Sequence, residues 1–334
     1  MSVAVSTDTT PKPASPKFNF RSILPFTGLI AVVVEVLFFS TQAPGFLTGS
    51  NVLNILVQGA VVCVGAFGMA VVVIGGGDDV VTGGIDLSIG ATVGLAGTVA
   101  ATFLKNGHSV LLALFSALVV SLLVGGVNAG AISLGIRPLL ATLALMGIAS
   151  SADLLISNNL QLPVSNSLFI WLRDGKPLGI PSAVLVLLVL FLATWTVVSY
   201  TSVGVRLYAT GGNPTAAKVA GINTRKYVVY TYLFSGFCAA VAGILLTARS
   251  SGATPGGGSP LLLDIILAAF ISVIFSRRLI VNILGTVVGG MFVAALTNGF
   301  TLINVPTYWV SGVKGLLILL VVAISALRSR RGSA

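Results

Sequence analysis

Apolar runs of about 20 residues follow one another along this chain with only short polar or Gly/Pro-rich breaks between them, and that is the length of helix that crosses a bilayer core. The breaks delimit ten candidate spans, at 23–40, 53–74, 85–104, 110–134, 139–156, 183–200, 228–248, 260–275, 279–300 and 308–327. The third begins inside a glycine-rich break and the eighth is short, so these two carry the weakest pattern. Residues 1–20 are rich in Ser, Thr, Pro and Lys without apolar periodicity, the composition of a disordered tail. Arg21 ahead of an apolar run, with small residues from Ser40 to Ala43, also resembles a secretory signal; the length of the run and the spans after it favour a first transmembrane helix. The expected organisation is a tail over 1–20, a transmembrane domain over 21–328 with a cytoplasmic loop at 201–227, and a short basic tail over 329–334. The expected fold class is all-α and polytopic.

Composition reinforces this reading. The 334 residues are 56% hydrophobic and only 8% charged, where a soluble domain carries about 25% charged residues. The formal net charge of +10 could suggest nucleic acid, but the bases sit at loop ends and form no patch with interleaved aromatics. Membrane orientation accounts for them, because Lys and Arg accumulate in short cytoplasmic loops. With ten spans and both termini inside, the cytoplasmic side holds Lys12, Lys17, Arg21, Arg137, Arg206, Lys218, Arg225, Lys226, Arg277, Arg278, Arg328, Arg330 and Arg331. The outer side holds Lys105, Arg173, Lys176 and Arg249, and Lys314 lies in the last span. Cys63 and Cys238 fall inside apolar runs and read as small packing residues.

Candidate chemistry begins at residues 73–90, VIGGGDDVVTGGIDLSIG, a glycine- and acid-rich interruption between two apolar runs. Glycines let backbone leave helical geometry, and such backbone is tolerated at membrane depth where it lines a cavity or is buried in protein. A helix restarting after Gly83 and Gly84 puts Asp86 and Ser88 in its first turn, where the dipole favours a carboxylate; an ordinary cytoplasmic turn capped by Asp86 fits the same residues. Glu35, Asp153, Asp264 and Lys314 are the other ionisable groups within spans, each a functional candidate by cost alone. Asp153 and Asp264 also fit interfacial carboxylates, and Lys314 a snorkelling lysine. In the cytoplasmic loop, residues 208–222 read YATGGNPTAAKVAGI: Asn213 can cap a helix, Pro214 suits its first position, Thr215 to Ala220 give about two turns, and Gly221 suits the left-handed stop. A short helix so firmly punctuated suits docking to a peripheral partner. The sequence contains no GxxxxGK[ST] phosphate loop and no HExxH, and its single histidine is His108 in an outer turn. A pump built on this chain takes its energy from a partner subunit or an ion gradient.

Four stretches in order resemble the ribose/arabinose/xylose branch of ATP-binding-cassette importer permeases: GGIDLSIG at 83–90, NAGAISLGIRPLLATLALM at 128–146, YATGGNPTAAKVAGI at 208–222, and TNGFTLINVPTYW with VKGLLILL at 297–320. The resemblance covers residues 44–327. It implies a fold similar to the vitamin B12 and ribose importer class, and a monosaccharide or polyol as cargo. It also implies a second permease subunit, identical or not, a tandem ATPase carrying the ATP and magnesium, and a periplasmic sugar-binding protein in a bacterial inner membrane. This chain would itself bind no cofactor. By the same resemblance Gly83, Gly84, Asp86, Ser88, Asn128, Asp264 and Asn298 belong to the substrate pathway, and Tyr208, Gly211, Gly212, Asn213, Pro214, Ala217, Lys218 and Gly221 to the loop that couples to the ATPase. An ion-coupled secondary transporter using Asp86 or Glu35 is the alternative. Two stretches depart from the family pattern: IILAAFISVIFSRRLIVNIL replaces a glycine-rich stretch between Asp264 and Gly285–Thr286, and GGGDDVV precedes Thr82. Both suit one specialised member of a permease pair.

Overall fold

The computed structural model describes residues 20–77, 83–276 and 280–329. The terminal tails, Asp78 to Thr82 and the Arg277–Arg278 pair lie outside the described residues, as do most of the terminal bases in the charge argument.

Helices dominate. In chain order they are α1 Phe20–Gln42, α2 Gly49–Gly76, α3 Ile89–Lys105, α4 Val110–Ser133, α5 Pro138–Ser157, α6 Ser167–Asp174, α7 Ser182–Tyr200, α8 Ser202–Gly212, α9 Pro214–Val219, α10 Thr224–Arg249, α11 Leu261–Ile271, α12 Ile283–Leu302 and α13 Thr307–Ser329. Each predicted span overlaps one of them, but α3 starts only at Ile89, so Ser88 precedes it as its cap position and Asp86 lies in the turn before, not in its first turn as expected. Among the described residues six (α2, α4, α5, α7, α10, α12) are long and apolar enough to cross a membrane, and four shorter apolar stretches accompany them, at Gly28–Gln42, Ile89–Lys105, Leu261–Phe275 and Thr307–Ala323. The chain is thus an all-α polytopic protein. A single antiparallel pair, β1 Leu162–Pro163 with β2 Gly252–Ala253, ties the loop after α5 to the end of α10.

The helix ends follow local chemistry. Ser109 caps α4 by accepting from Leu112 N, Asn282 caps α12 by accepting from Gly285 N at 2.7 Å, and Pro138 opens α5. The structure adds two helices that the sequence pattern did not reveal. One is α6, in the loop between α5 and α7, where Arg173 pairs with Asp174 at 2.6 Å and donates to Ser251 Oγ at 2.5 Å. The Arg173 guanidinium holds the exposed Asp174 carboxyl below its ordinary range. The other is α8, immediately before the expected loop helix.

The bundle is layered around α2. Its most apolar stretch is 89% buried, against 28% for α4, α5 and α7, so α2 is enclosed by protein while the other three show apolar faces outward, as lipid-facing helices do. α10, α12, α11, α7 and α8 pack directly on α2, α3 touches it at fewer points, and α4 joins it through α10. Lipid is as apolar as leucine, so helices in a bilayer associate through close packing and polar contacts rather than hydrophobic exclusion. The α4–α10 crossing shows this: Gly236 lies against the Ser121 carbonyl and Gly125 against the Tyr232 carbonyl, with no room for a Cβ at either.

An alanine at Gly236 should therefore push α4 and α10 apart at a cost of about 1–3 kcal/mol, whereas Gly130→Ala, on an open part of α4, should be neutral. Thermal unfolding of the two variants in detergent checks this, and equal melting temperatures would contradict it.

Candidate functional site

On either side of residues 78–82, which lie outside the described residues, the end of α2 and the chain entering α3 fold against each other. Gly77, at φ +89°, ends α2 by donating to Val73 O, and Gly84 N donates back to Gly77 O at 2.9 Å. The chain folds so tightly that Gly84 rests on the backbone of Val72 and Gly76. Gly83, Gly84 and Asp86 are buried within it.

Asp86 is the centre of a polar knot. Its Oδ1 accepts from Ser88 N at 3.0 Å and Ser88 Oγ at 2.6 Å, and its Oδ2 accepts from Ser235 Oγ of α10 at 2.6 Å. Ser88 Oγ in turn accepts from Asn128 Nδ2 of α4 at 2.8 Å, and Tyr232 of α10 donates to Ile85 O at 3.0 Å. Asp86 is 3% exposed and Asn128 0%, so the carboxylate braces α3, α4 and α10 against the break. Asn128 Oδ1 alone among these atoms has no hydrogen-bond partner. Ser235 and Tyr232 had no signature in the sequence; their signal was only that of small or amphipathic polar groups on one face of an apolar helix.

Two cavities lie on the seam between α10 and the segment from the break into α3. One, about 290 Å³, is lined by Gly76, Gly83, Gly84, Arg137, Val228 and Tyr232; the other, about 230 Å³, by Val93, Gly94, Thr247, Ser250, Thr254 and Gly257. The Asp86–Ser235 contact falls between them along both elements.

The remaining intramembrane charges are placed as follows. Asp153, 2% exposed, accepts from Thr98 Oγ1 of α3 at 2.5 Å and from Gly256 N at 3.0 Å; it pins α3 and the turn after β2. Asp264 and Lys314 find each other, Nζ to Oδ1 at 2.5 Å, joining α11 to α13 in a buried ion pair. Snorkelling is therefore not what holds Lys314. Asn298 exchanges two hydrogen bonds with Asn51, at 2.8 and 3.0 Å, which fastens the start of α2 to α12. Glu35 is buried on the inner face of α1, and neither of its oxygens has a hydrogen-bond partner among the described residues. Thus Gly83, Gly84, Asp86, Ser88 and Asn128 share one site, while Asp264 and Asn298 are each committed to a separate helix contact.

The loop after α7 also takes a defined form. Asn213 Oδ1 accepts from Ala216 N at 2.9 Å, Pro214 opens α9, and Gly221 at φ +80° closes it; Gly221 N donates to Lys218 O and Ile222 N to Ala217 O. These last two bonds are the paired closure of a left-handed helix stop. Ala217 is buried, while Pro214, Thr215, Lys218 and Val219 face outward, Val219 at 86% exposure. Tyr208 of α8 donates to Val281 O at 3.1 Å and Arg206 to Tyr227 Oη at 3.2 Å, so α8 is bound to the bundle.

A bundle of apolar helices with a broken, braced pair at its centre and a capped helix on one end defines a polytopic transport subunit. Its relatives agree. The chain belongs to the family described as the branched-chain amino acid transport system / permease component, whose profile matches residues 51–322. It is 34% identical over 301 residues to the ribose import permease protein RbsC of Escherichia coli (strain K12), covering 89% of this chain and 92% of that one. It is 33% identical over 332 residues to the galactofuranose transporter permease protein YtfT of the same organism, covering 95% and 94%, and 32% identical over 308 residues to RbsC of Bacillus subtilis (strain 168), covering 91% and 92%. Within the family the chain stands with permease components of sugar ABC importers.

Replacement of Asp86 separates its charge from its shape. Asp86→Asn keeps an acceptor and should cost about 1 kcal/mol, while Asp86→Ala strands the Ser88 and Ser235 hydroxyls at about 3 kcal/mol. Melting temperatures in detergent should rank wild type, Asn, Ala; an alanine variant as stable as wild type would contradict the knot.

Proposed function

We propose that this chain is the membrane-spanning permease subunit of an ATP-binding-cassette importer that carries a monosaccharide or related polyol from periplasm to cytoplasm. The observation that carries the proposal is α9. Six residues receive an Asn cap, a first-turn proline and a two-bond glycine closure, which is more than a connector needs, and they present an exposed face beside the buried break. Such a helix suits the groove of an ATPase subunit. The relatives whose names record import of ribose or transport of galactofuranose support the sugar class.

In this reading the transmembrane domain crosses the bacterial inner membrane ten times with both termini cytoplasmic, in a fold similar to the vitamin B12 importer class, with tails at 1–20 and 329–334. A periplasmic binding protein delivers the sugar, a second permease subunit, identical or specialised, completes the pore, and a tandem ATPase holds ATP and magnesium. This chain contributes no bond chemistry and no cofactor of its own. The sugar passes along α10 by way of the two cavities, one against the break and the α4–α5 turn and the other against α3, and Gly83, Gly84, Asp86, Ser88 and Asn128 shape the constriction between them; Asp264 and Asn298 brace it from outside. Glu35, whose oxygens have no hydrogen-bond partner among the described residues, is the observation that favours an ion-coupled transporter instead.

Gly221→Val forces a β-branched residue to positive φ at a cost of about 1 kcal/mol or more and should unwind the end of α9. The variant should reach the membrane at normal levels, yet co-purify poorly with the ATPase and lose sugar uptake. Normal accumulation with normal ATPase binding and uptake would remove the docking role.

A further inference from the structure

The loop residues 208–222 do not form one functional unit. Asn213 to Gly221 build α9, which faces outward. Gly211, one turn of backbone away in α8, faces inward: a Cβ there would overlap the Ile74 carbonyl and come within 2.9 Å of Gly77 N, and a Cβ on Gly77 would meet Gly211 O at 2.8 Å. Beside this contact the Leu207 side chain lies against Gly75, where a Cβ would meet its Cδ2 at 3.2 Å. α8 therefore grips the last turn of α2 backbone to backbone, through glycines on both sides.

That last turn is the one the break folds back upon. Gly76 and Gly84 are in mutual backbone contact, Gly84 N donates to Gly77 O, and two residues further on stands Asp86 with its bonds to α3 and α10. A continuous line of close contacts thus runs from α9 through Gly211 and Gly77 to Gly84 and the Asp86 knot. A cavity of about 500 Å³ opens beside this contact, with Ile74, Gly77 and Gly211 on its wall together with Val198 and Val205, so the glycine contact is where α8 meets the end of α2 next to open space. Close-packed backbone transmits displacement, whereas an open space absorbs it.

We infer that Gly211 is a positioning residue for transport: its contact with Ile74 and Gly77 passes movement of the docked α9 to the glycine break and so to the constriction at Asp86. This rests on the docking role of α9, and it assigns Gly211 to transmission rather than to ATPase binding. Partner binding and transmission then separate experimentally.

The test uses the assembled transporter in proteoliposomes, with Gly211→Ala wedging the contact, Leu207→Ala emptying it, and Leu111→Ala, in the first turn of α4 and 76% exposed, as control. Both contact variants should co-purify with the ATPase as wild type does, yet stimulation of ATP hydrolysis by the sugar-loaded binding protein and sugar uptake should each fall about tenfold, within the range seen for mutations between coupled sites. Leu111→Ala should leave all three unchanged. If Gly211→Ala does not accumulate, Leu207→Ala, which only removes bulk, gives the reading. Wild-type stimulation and uptake in an accumulated contact variant overturn the inference. So does loss of ATPase co-purification in Leu207→Ala, because the contact would then serve docking. Absence of ATPase binding in the wild-type protein would instead refute the docking role itself.

Discussion

A carboxylate inside an apolar bundle must have every lone pair answered or the fold pays several kcal/mol for it, and Asp86 is where this constraint falls at the centre of the molecule. The break between α2 and α3 brings it there. Ser88 answers one oxygen and Ser235 the other, while Asn128 holds Ser88 in turn. Three helices that are apart in sequence are thereby fixed in register around a stretch of backbone that no regular helix supports. Those donors add to the Gly84–Gly77 and Tyr232–Ile85 bonds in holding the segment that leads into α3.

The same principle recurs with different partners. Asp153 holds α3 to the turn after β2, Asp264 and Lys314 join α11 to α13, and Asn51 and Asn298 join α2 to α12. Polar contacts specify which helices meet, and glycines decide how closely they do so. Gly236 and Gly125 let α10 approach α4 at carbonyl distance, and Gly211 lets α8 approach α2 in the same way. The bundle is held by small residues and buried bonds, with its leucines and valines turned largely to lipid or to the interior of α2's surroundings.

Much of this was legible in the sequence. Each of the ten apolar runs holds a helix among the described residues, six of them long enough to cross a membrane, because length and hydropathy are local properties, and the caps of α9 were read from Asn213, Pro214 and Gly221 because capping is local too. The glycine break at 83–84 announced itself by composition. What pattern could not show were pairings. Nothing along the chain links Asp86 to Ser235, or Asp264 to Lys314, which is why the latter two read as an interfacial carboxylate and a snorkelling lysine. α8 was missed for a related reason: Gly204, Gly211 and Gly212 argue against a helix by propensity, and only the contact of Gly211 with α2 shows why they are tolerated.

On the proposed function, transport is powered by a partner ATPase rather than by an ion gradient. The direct measurement is uptake of labelled ribose into proteoliposomes that hold this chain with its ATPase, partner permease and binding protein. Uptake should require enclosed ATP and persist when ionophores abolish proton and sodium gradients; uptake that proceeds without ATP and collapses with the ionophores would contradict it.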